Sequence, residues 1–239
     1  MIFDNITVLY GNNGSGKSTI LNIIAHKLNL KGKERNSPPI VGTLDYFEEY
    51  ATKCEYELGE NENGIKISRI PENSRYIKSE EILYEIRKIQ QDAILNESIE
   101  SDLARERGLK SAQEFLRTKE GSNQFDRFQF AQETYSNGET TMQVLEDRIE
   151  PDQLYLLDEP EVSLSPQNQL KLAEEINKLS RYLGIQFIIA THSPFMLGIL
   201  NAKIYNLDTR DYKVQKWNEL ENVRFFYNFF KKRMAEFEE

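Results

Sequence analysis

The apolar positions of the chain switch between two periods, and the switches mark its elements. ITVLY (6–10) is an unbroken β-rich run that passes straight into a glycine-rich turn. STILNIIAHKLNL then places Ile20, Leu21, Ile24 and Leu28 at helical spacing, so the opening predicts strand, glycine loop, helix. Residues 40–72 carry weaker signals; CEYELGENENGIKISRI predicts two short strands around the turn ENENG. In SEEILYEIRKIQQDAIL, Ile82, Ile86, Ile89 and Ala93 share one helix face, with Ser79 as a cap and acids in the first turn. SAQEFLRTK predicts a second helix beyond it.

From YSNGE onward the order is regular. A helix over 140–148 leads through Pro151 to the strand QLYLL. A long helix follows, with Ser165 at the N-cap, Pro166 at the first helical position, Leu170, Ala173, Ile176 and Leu179 as its buried stripe, and Gly184 just past its end. IQFIIA predicts a compact buried strand ending at THSP, KIYNL one more strand, and 218–235 a final helix. Strands alternating with helices imply an α/β fold with a mainly parallel sheet. The expected organisation is an α/β core from 1–74 and 140–217, a helical lobe over 75–139 inserted into it, and a C-terminal helix in 218–239.

Composition narrows the classes. The 239 residues, 39% hydrophobic and 29% charged, suit a soluble domain with a sizeable core. No run of about 18 apolar residues is present to span a membrane, and MIFDNITVLYG, with an acid at Asp4, does not read as a signal peptide; a cytoplasmic location without membrane insertion is expected. Cys54 is the one cysteine, and His26 and His192 the only histidines, which argues against a disulfide framework and a classical zinc site. A metal site made of carboxylates stays open. The net charge of −9 argues against a strongly basic nucleic-acid module. The short basic stripes KLNLKGKER and FFKKR read as solvated surface.

GNNGSGKST (11–19) fits GxxxxGK[ST] through Gly11, Gly16, Lys17 and Ser18. Glycines let the backbone bend until successive N–H groups, from Asn12, Asn13, Gly14 and Ser15 onward, face one anion, and the helix start adds positive potential there. Lys17 is expected to reach β- and γ-phosphates, the Ser18 hydroxyl to bind Mg²⁺, and Thr19 to contact the α-phosphate. LYLLDEP has the form of a second nucleotide motif. A buried strand delivers Asp158 to the sheet edge beside the phosphate loop, where it would hold Mg²⁺ through water, while Glu159 orients and deprotonates an attacking water. Phosphoryl transfer asks little of a protein beyond such positioning and charge stabilisation, so an adjacent Asp-Glu pair suffices.

With GNNGSGKST, YSNGE, LYLLDEPEVSLSPQNQ and IIATHSP in that order, the chain resembles ABC-type ATPases. Within them it is similar to the single-domain branch labelled predicted AAA ATPases, relatives of the ATPase heads of structural-maintenance-of-chromosomes and recombination proteins. The resemblance implies a P-loop NTPase fold, ATP and Mg²⁺ as ligands, and a signature motif at YSNGE whose Ser136 and Gly138 contact the γ-phosphate held by a second subunit. It makes His192 a γ-phosphate sensor that orients the attacking water, and EVSLSP a loop crossing the dimer seam. Ser165 stands where transporter subunits carry an acid. Relatives also carry earlier strands with an adenine-stacking aromatic; here Phe3 and Tyr10 are the candidates for that contact. No Q-loop glutamine is evident, leaving Ser79 or Glu80 in its place.

The function implied is Mg²⁺-dependent ATP hydrolysis by a head-to-tail homodimer with two sandwiched nucleotides, acting on a protein partner such as a nuclease or other effector, in DNA repair or anti-phage defence. The alternatives are a slow or non-hydrolysing ATP-dependent binding switch completed by a partner, and the ATPase subunit of a membrane transporter. Nucleic acid is a weaker candidate partner. The aromatic run VRFFYNFFKKR places Phe226 and Phe230 on one helix face with Val223, a face expected to pack on the chain's own core.

Overall fold

The computed structural model describes residues 1–34, 46–60, 66–79, 149–162 and 164–237. The chain divides into two compact units. The first joins Met1–Ser79, Ile149–Val162 and Gln169–Glu239, and the second Glu80–Arg148 and Ser163–Asn168. In the second unit only 164–168 are described; there Asn168 N donates to Ser165 Oγ at 3.4 Å, the expected N-cap bond. The helices expected within 79–148, the signature residues Ser136 and Gly138, and Glu80 lie outside the described residues.

The first unit is built on a five-stranded sheet in the order β2-β3-β4-β1-β5. Its strands are β1 (Ile6–Tyr10), β2 (Arg75–Lys78), β3 (Leu154–Asp158), β4 (Gln186–Ala190) and β5 (Lys203–Asn206). Every ladder is parallel. β1 and β3 are buried at every position, and β4 at all but the first. That burial explains why these strands read as continuous apolar runs, since the central strands of a parallel sheet have no polar face. The architecture is the expected α/β one with a parallel sheet.

Two faces grow from the strand alternation. Leu9, Leu154, Leu156, Ile188 and Ala190 share a core cluster with Leu21 and Ala25 of helix α1 (Lys17–Lys27). The residues between them, Val8, Tyr10, Tyr155, Leu157, Phe187 and Ile189, are just as buried on the opposite face, where Tyr155 and Phe187 stack at 5.9 Å. The other described α-helices are α2 (Tyr46–Lys53), α3 (Pro166–Leu183), α4 (Pro194–Ile199) and α5 (Glu221–Lys232), with short 3-10 helices at Trp217–Glu219 and Met234–Phe237. α3 ends at Gly184, whose φ is +63°, as its sequence position predicts.

Several expectations change. Arg75–Lys78, assigned above to the helical lobe, is strand β2 and pairs with β3. The pattern hid it because four residues framed by Arg75 and Lys78 give no period. α2 arises in the weakly patterned stretch. Among the described residues of CEYELGENENGIKISRI, 54–60 and 66–70, one isolated bridge forms, Glu60 to Lys66, where two strands were expected. The buried stripe of α3 is Leu172, Ala173, Ile176 and Ser180, with Leu170 and Leu179 half-buried. In α5 only Val223 is buried; Phe226 and Phe230 are 40% and 52% exposed, so the aromatic face does not pack on the core as expected.

Phe187 is fully buried at the centre of the sheet. Phe187→Ala is expected to cost about 3–5 kcal/mol of stability, from lost burial plus a residual cavity. Urea titration measures this, and a loss under about 1 kcal/mol would show that the face repacks.

Candidate functional site

The carboxyl ends of β1, β3 and β4 form one edge, the place where open parallel sheets bind ligands. β1 feeds the loop 11–16 and then α1. Gly14 and Gly16 take φ of +83° and +91°, which folds the loop back on itself and aims N–H groups inward. Among the described residues, none accepts from the N–H groups of Asn13, Gly14, Gly16, Lys17, Ser18 or Thr19. Lys17 is buried, Gly16 and Thr19 are half-buried, and Asn13, Gly14 and Ser18 are open to solvent. A row of unbonded N–H groups at a helix start, reachable from outside, is chemically matched to a polyphosphate. Ser15 Oγ is buried without a partner.

Lys17 is 5% exposed, and its Nζ donates to the carbonyls of Gly11 at 2.9 Å and Asn12 at 3.2 Å. The ammonium is thus held within the loop. The Asn12 N–H is taken by the Asp208 carboxylate at 3.0 and 3.1 Å, which pins the entry of the loop to the segment after β5.

β3 delivers the acids. Ser18 Oγ donates to Asp158 Oδ1 at 3.1 Å, and the Tyr76 hydroxyl to Oδ2 at 2.9 Å. Ser18 and Asp158 present hard oxygen donors side by side, a set that suits Mg²⁺. Glu159 follows with φ +48°, an uncommon conformation for a residue with a Cβ, while its N–H still bonds Ala190 O at 2.9 Å. The turn throws its side chain outward. Glu159 Oε1 lies 3.6 Å from Lys17 Nζ and 3.4 Å from His192 Nδ1. One carboxylate oxygen therefore touches both the cation of the phosphate loop and the histidine after β4. Of the site residues predicted from sequence, those from Gly11 to Thr19 together with Asp158, Glu159 and His192 occupy this edge.

Two aromatic candidates for adenine are withdrawn. Tyr10 is 1% exposed, and its hydroxyl accepts the Asn222 N–H at 3.1 Å. Phe3 packs against the core cluster, beyond the amino end of β1. Strand alternation turns Tyr10 into the sheet's other face, a constraint that proximity along the sequence does not show. Tyr76 was missed because its strand was; Asn222, which donates to His192 O at 3.0 Å, lies in a helix with no motif to announce it. Glu161, the first residue of the loop expected at the seam, turns its own side chain inward, where Oε1 accepts the Thr191 hydroxyl at 2.5 Å.

An ABC transporter family model matches residues 3–162, more than half of the chain. The chain belongs to the ABC transporter ATPase family. It has the P-loop NTPase fold, and it binds and hydrolyses ATP. The family described as "AAA domain, putative AbiEii toxin, Type IV TA system" matches residues 141–198. No curated protein matches the chain. Among solved structures, the SMC head domain from Thermotoga maritima is 15% identical, with 86% of this chain and 87% of that one covered and a TM-score of 0.36. Stu0660 of Streptococcus thermophilus is 16% identical, covering 98% of this chain and 76% of that one, at 0.41. A part of the ABC transporter complex cbiONQ from Clostridium perfringens is 16% identical, covering 97% and 85%, at 0.34. Among the described residues, no helix of this ATPase is long and apolar enough to cross a membrane.

Burial raises the Asp158 carboxyl above its ordinary range, against the hydrogen bonds from Tyr76 and Ser18; Glu159 raises it further and Lys78 opposes. Glu161 is raised by burial too, opposed by its bond from Thr191. A carboxyl whose folded pKa exceeds its unfolded one supports the fold fully below the unfolded value, and that support is lost as pH rises through the folded value. At neutral pH these acids therefore burden the nucleotide-free ATPase. Asp158→Asn is expected to raise its melting temperature at pH 7 by a few degrees, on a scale of about 2–4 °C per kcal/mol for a chain of this size. The gain should vanish near pH 4, about the unfolded value. Thermal unfolding without nucleotide checks both, and a lower midpoint at pH 7 would contradict the assigned burden.

Proposed function

We propose that this ATPase works as an ATP-gated head, closing head to tail with a second copy around two nucleotides and reopening after hydrolysis. The shared position of Glu159 Oε1, in reach of both Lys17 and His192, carries the reading. A γ-phosphate reaching the end of the loop would lie beside Lys17, with the attacking water between it and Glu159. Glu159 takes the water's proton, and His192 reports whether the γ-phosphate is present. Lys17 exchanges the Gly11 and Asn12 carbonyls for phosphate oxygens, and the free N–H row of the loop fixes the remaining ones. Mg²⁺, held by Ser18 and Asp158, would neutralise charge on the β- and γ-phosphates.

Closure is a population shift driven by contacts that exist only with ATP bound. In this reading Ser136 and Gly138 of one copy complete the site of the other, and the closed pair acts on a protein partner, an effector such as a nuclease, in DNA repair or defence. The adjacent Asp-Glu pair and the histidine give this chain its own hydrolytic machinery, which favours a motor over a binding switch.

Glu159→Gln keeps the shape of the site and removes the base. It is expected to reduce turnover by about 10²–10⁴-fold and to accumulate an ATP-bound dimer. Light scattering with size exclusion, in saturating ATP and Mg²⁺, reads the dimer. A variant that stays monomeric there would sink the sandwich for this chain alone, and one that keeps full turnover would remove Glu159 from the chemistry.

A further inference from the structure

The reaction above makes no use of Glu161, yet its residue is 5% exposed, deeper than Asp158 at 7%. Besides the Thr191 hydroxyl, its Oε1 accepts the His192 main-chain N–H at 3.3 Å. Its Oε2 is buried with no hydrogen-bond partner. Neither is His192 Nδ1 hydrogen-bonded, though it too is buried, 3.8 Å from that same Glu161 Oε1 and 3.4 Å from Glu159 Oε1. Among the described residues no lysine or arginine pairs with Glu161, and a buried acid so placed costs stability, so packing gives no reason for a glutamate here.

The surroundings supply one. Thr191 Oγ1 passes the constraint onward by accepting the Ser193 N–H at 3.0 Å, and Asn222 holds the His192 carbonyl from the other side. The backbone at Thr191, His192 and Ser193 is therefore gripped at several points, with Glu161 at the centre. The Nδ1 edge of the imidazole faces both carboxylates at once, Glu159 Oε1 at 3.4 Å and Glu161 Oε1 at 3.8 Å. A ring nitrogen facing carboxylate oxygens is favoured as N–H and disfavoured as a lone pair, which places the proton on Nδ1 and leaves Nε2 as the atom available elsewhere.

We infer that Glu161 is a positioning residue for His192: it fixes the backbone of the sensor and offers its Nδ1–H an acceptor that competes with Glu159. When the ring bonds Glu161, both oxygens of Glu159 are released to hold and deprotonate the attacking water. When it bonds Glu159, the base is occupied. The inference rests on the roles of Glu159 and His192 proposed above.

The test separates the two. His26 and His192 are the only histidines, so a His26→Asn background leaves one imidazole to be read by ¹⁵N–¹H NMR. In Glu159→Gln the competing carboxylate is gone, and His192 should keep its Nδ1–H tautomer, held by Glu161. Adding Glu161→Gln should shift the ring toward the Nε2–H form. An Nε2–H ring in Glu159→Gln alone, or a double variant with the tautomer unchanged, overturns the inference. These readouts need no turnover, so a wild type that hydrolyses no ATP would sink the proposed motor and still leave the Glu161 link to the spectra. If the double variant does not fold, the tautomer in Glu159→Gln decides. With Glu159 intact, Glu161→Gln should lower kcat by about 10- to 100-fold, the scale of a misplaced catalytic group, while the Kd for a fluorescent ATP analogue stays unchanged. An unchanged kcat overturns it.

Discussion

The hydrogen bond from Ser18 to Asp158 joins residues 140 positions apart, and the nucleotide site depends on it. One partner starts a helix, the other ends a strand, and neither element alone could place a metal-binding oxygen pair. What brings them together is burial. β1 and β3 both pair with β4, and all three are too apolar to sit anywhere but the middle of the sheet. Parallel pairing then aligns their carboxyl ends, so that the phosphate loop, the acids and the histidine leave the sheet along one edge. The same burial makes Asp158 expensive to ionise, and the hydroxyls of Tyr76 and Ser18 offset part of that cost.

The legible parts of the chain were those encoded locally. The phosphate loop declares itself because its glycines and lysine must be contiguous for the backbone to wrap an anion. The strands β1, β3 and β4 declare themselves because complete burial leaves no polar interruption. Asp158, Glu159 and His192 follow at strand ends, where position along the sequence fixes position in space. Tyr76, Asn222 and the inward turn of Glu161 were not legible, because each depends on a partner far along the chain. β2 shows the difference well: RYIK is too short and too charged at its ends to show a period, and only pairing with β3 makes it a strand. Tyr10 shows the converse. Its place beside the loop suggested a nucleotide contact, yet the twofold alternation of a strand sends it to the other face of the sheet.

Three acids within four positions have three environments. Asp158 is buried among hydroxyls, Glu159 stands out on a left-handed turn, and Glu161 is sealed beneath the histidine loop. Depth and backbone conformation alone thus give chemically similar groups different surroundings, which is what the proposed division between metal, water and sensor requires. The phosphate loop adds the complement, a cation and a row of free N–H groups within reach of the second acid. In the proposed reaction these groups would meet at the terminal phosphate of one nucleotide.

The central claim is that the 11–19 loop and the ends of β3 and β4 form one ATP site. Calorimetric titration of ATP with Mg²⁺ into the wild type and into Lys17→Ala, each shown to be folded by its thermal transition, tests it most directly. One ATP per chain is expected for the wild type, and a loss of binding of about 100-fold in the variant, since charge-assisted bonds to phosphate are worth about 1.5–3 kcal/mol. Equal affinity in the two proteins would contradict it.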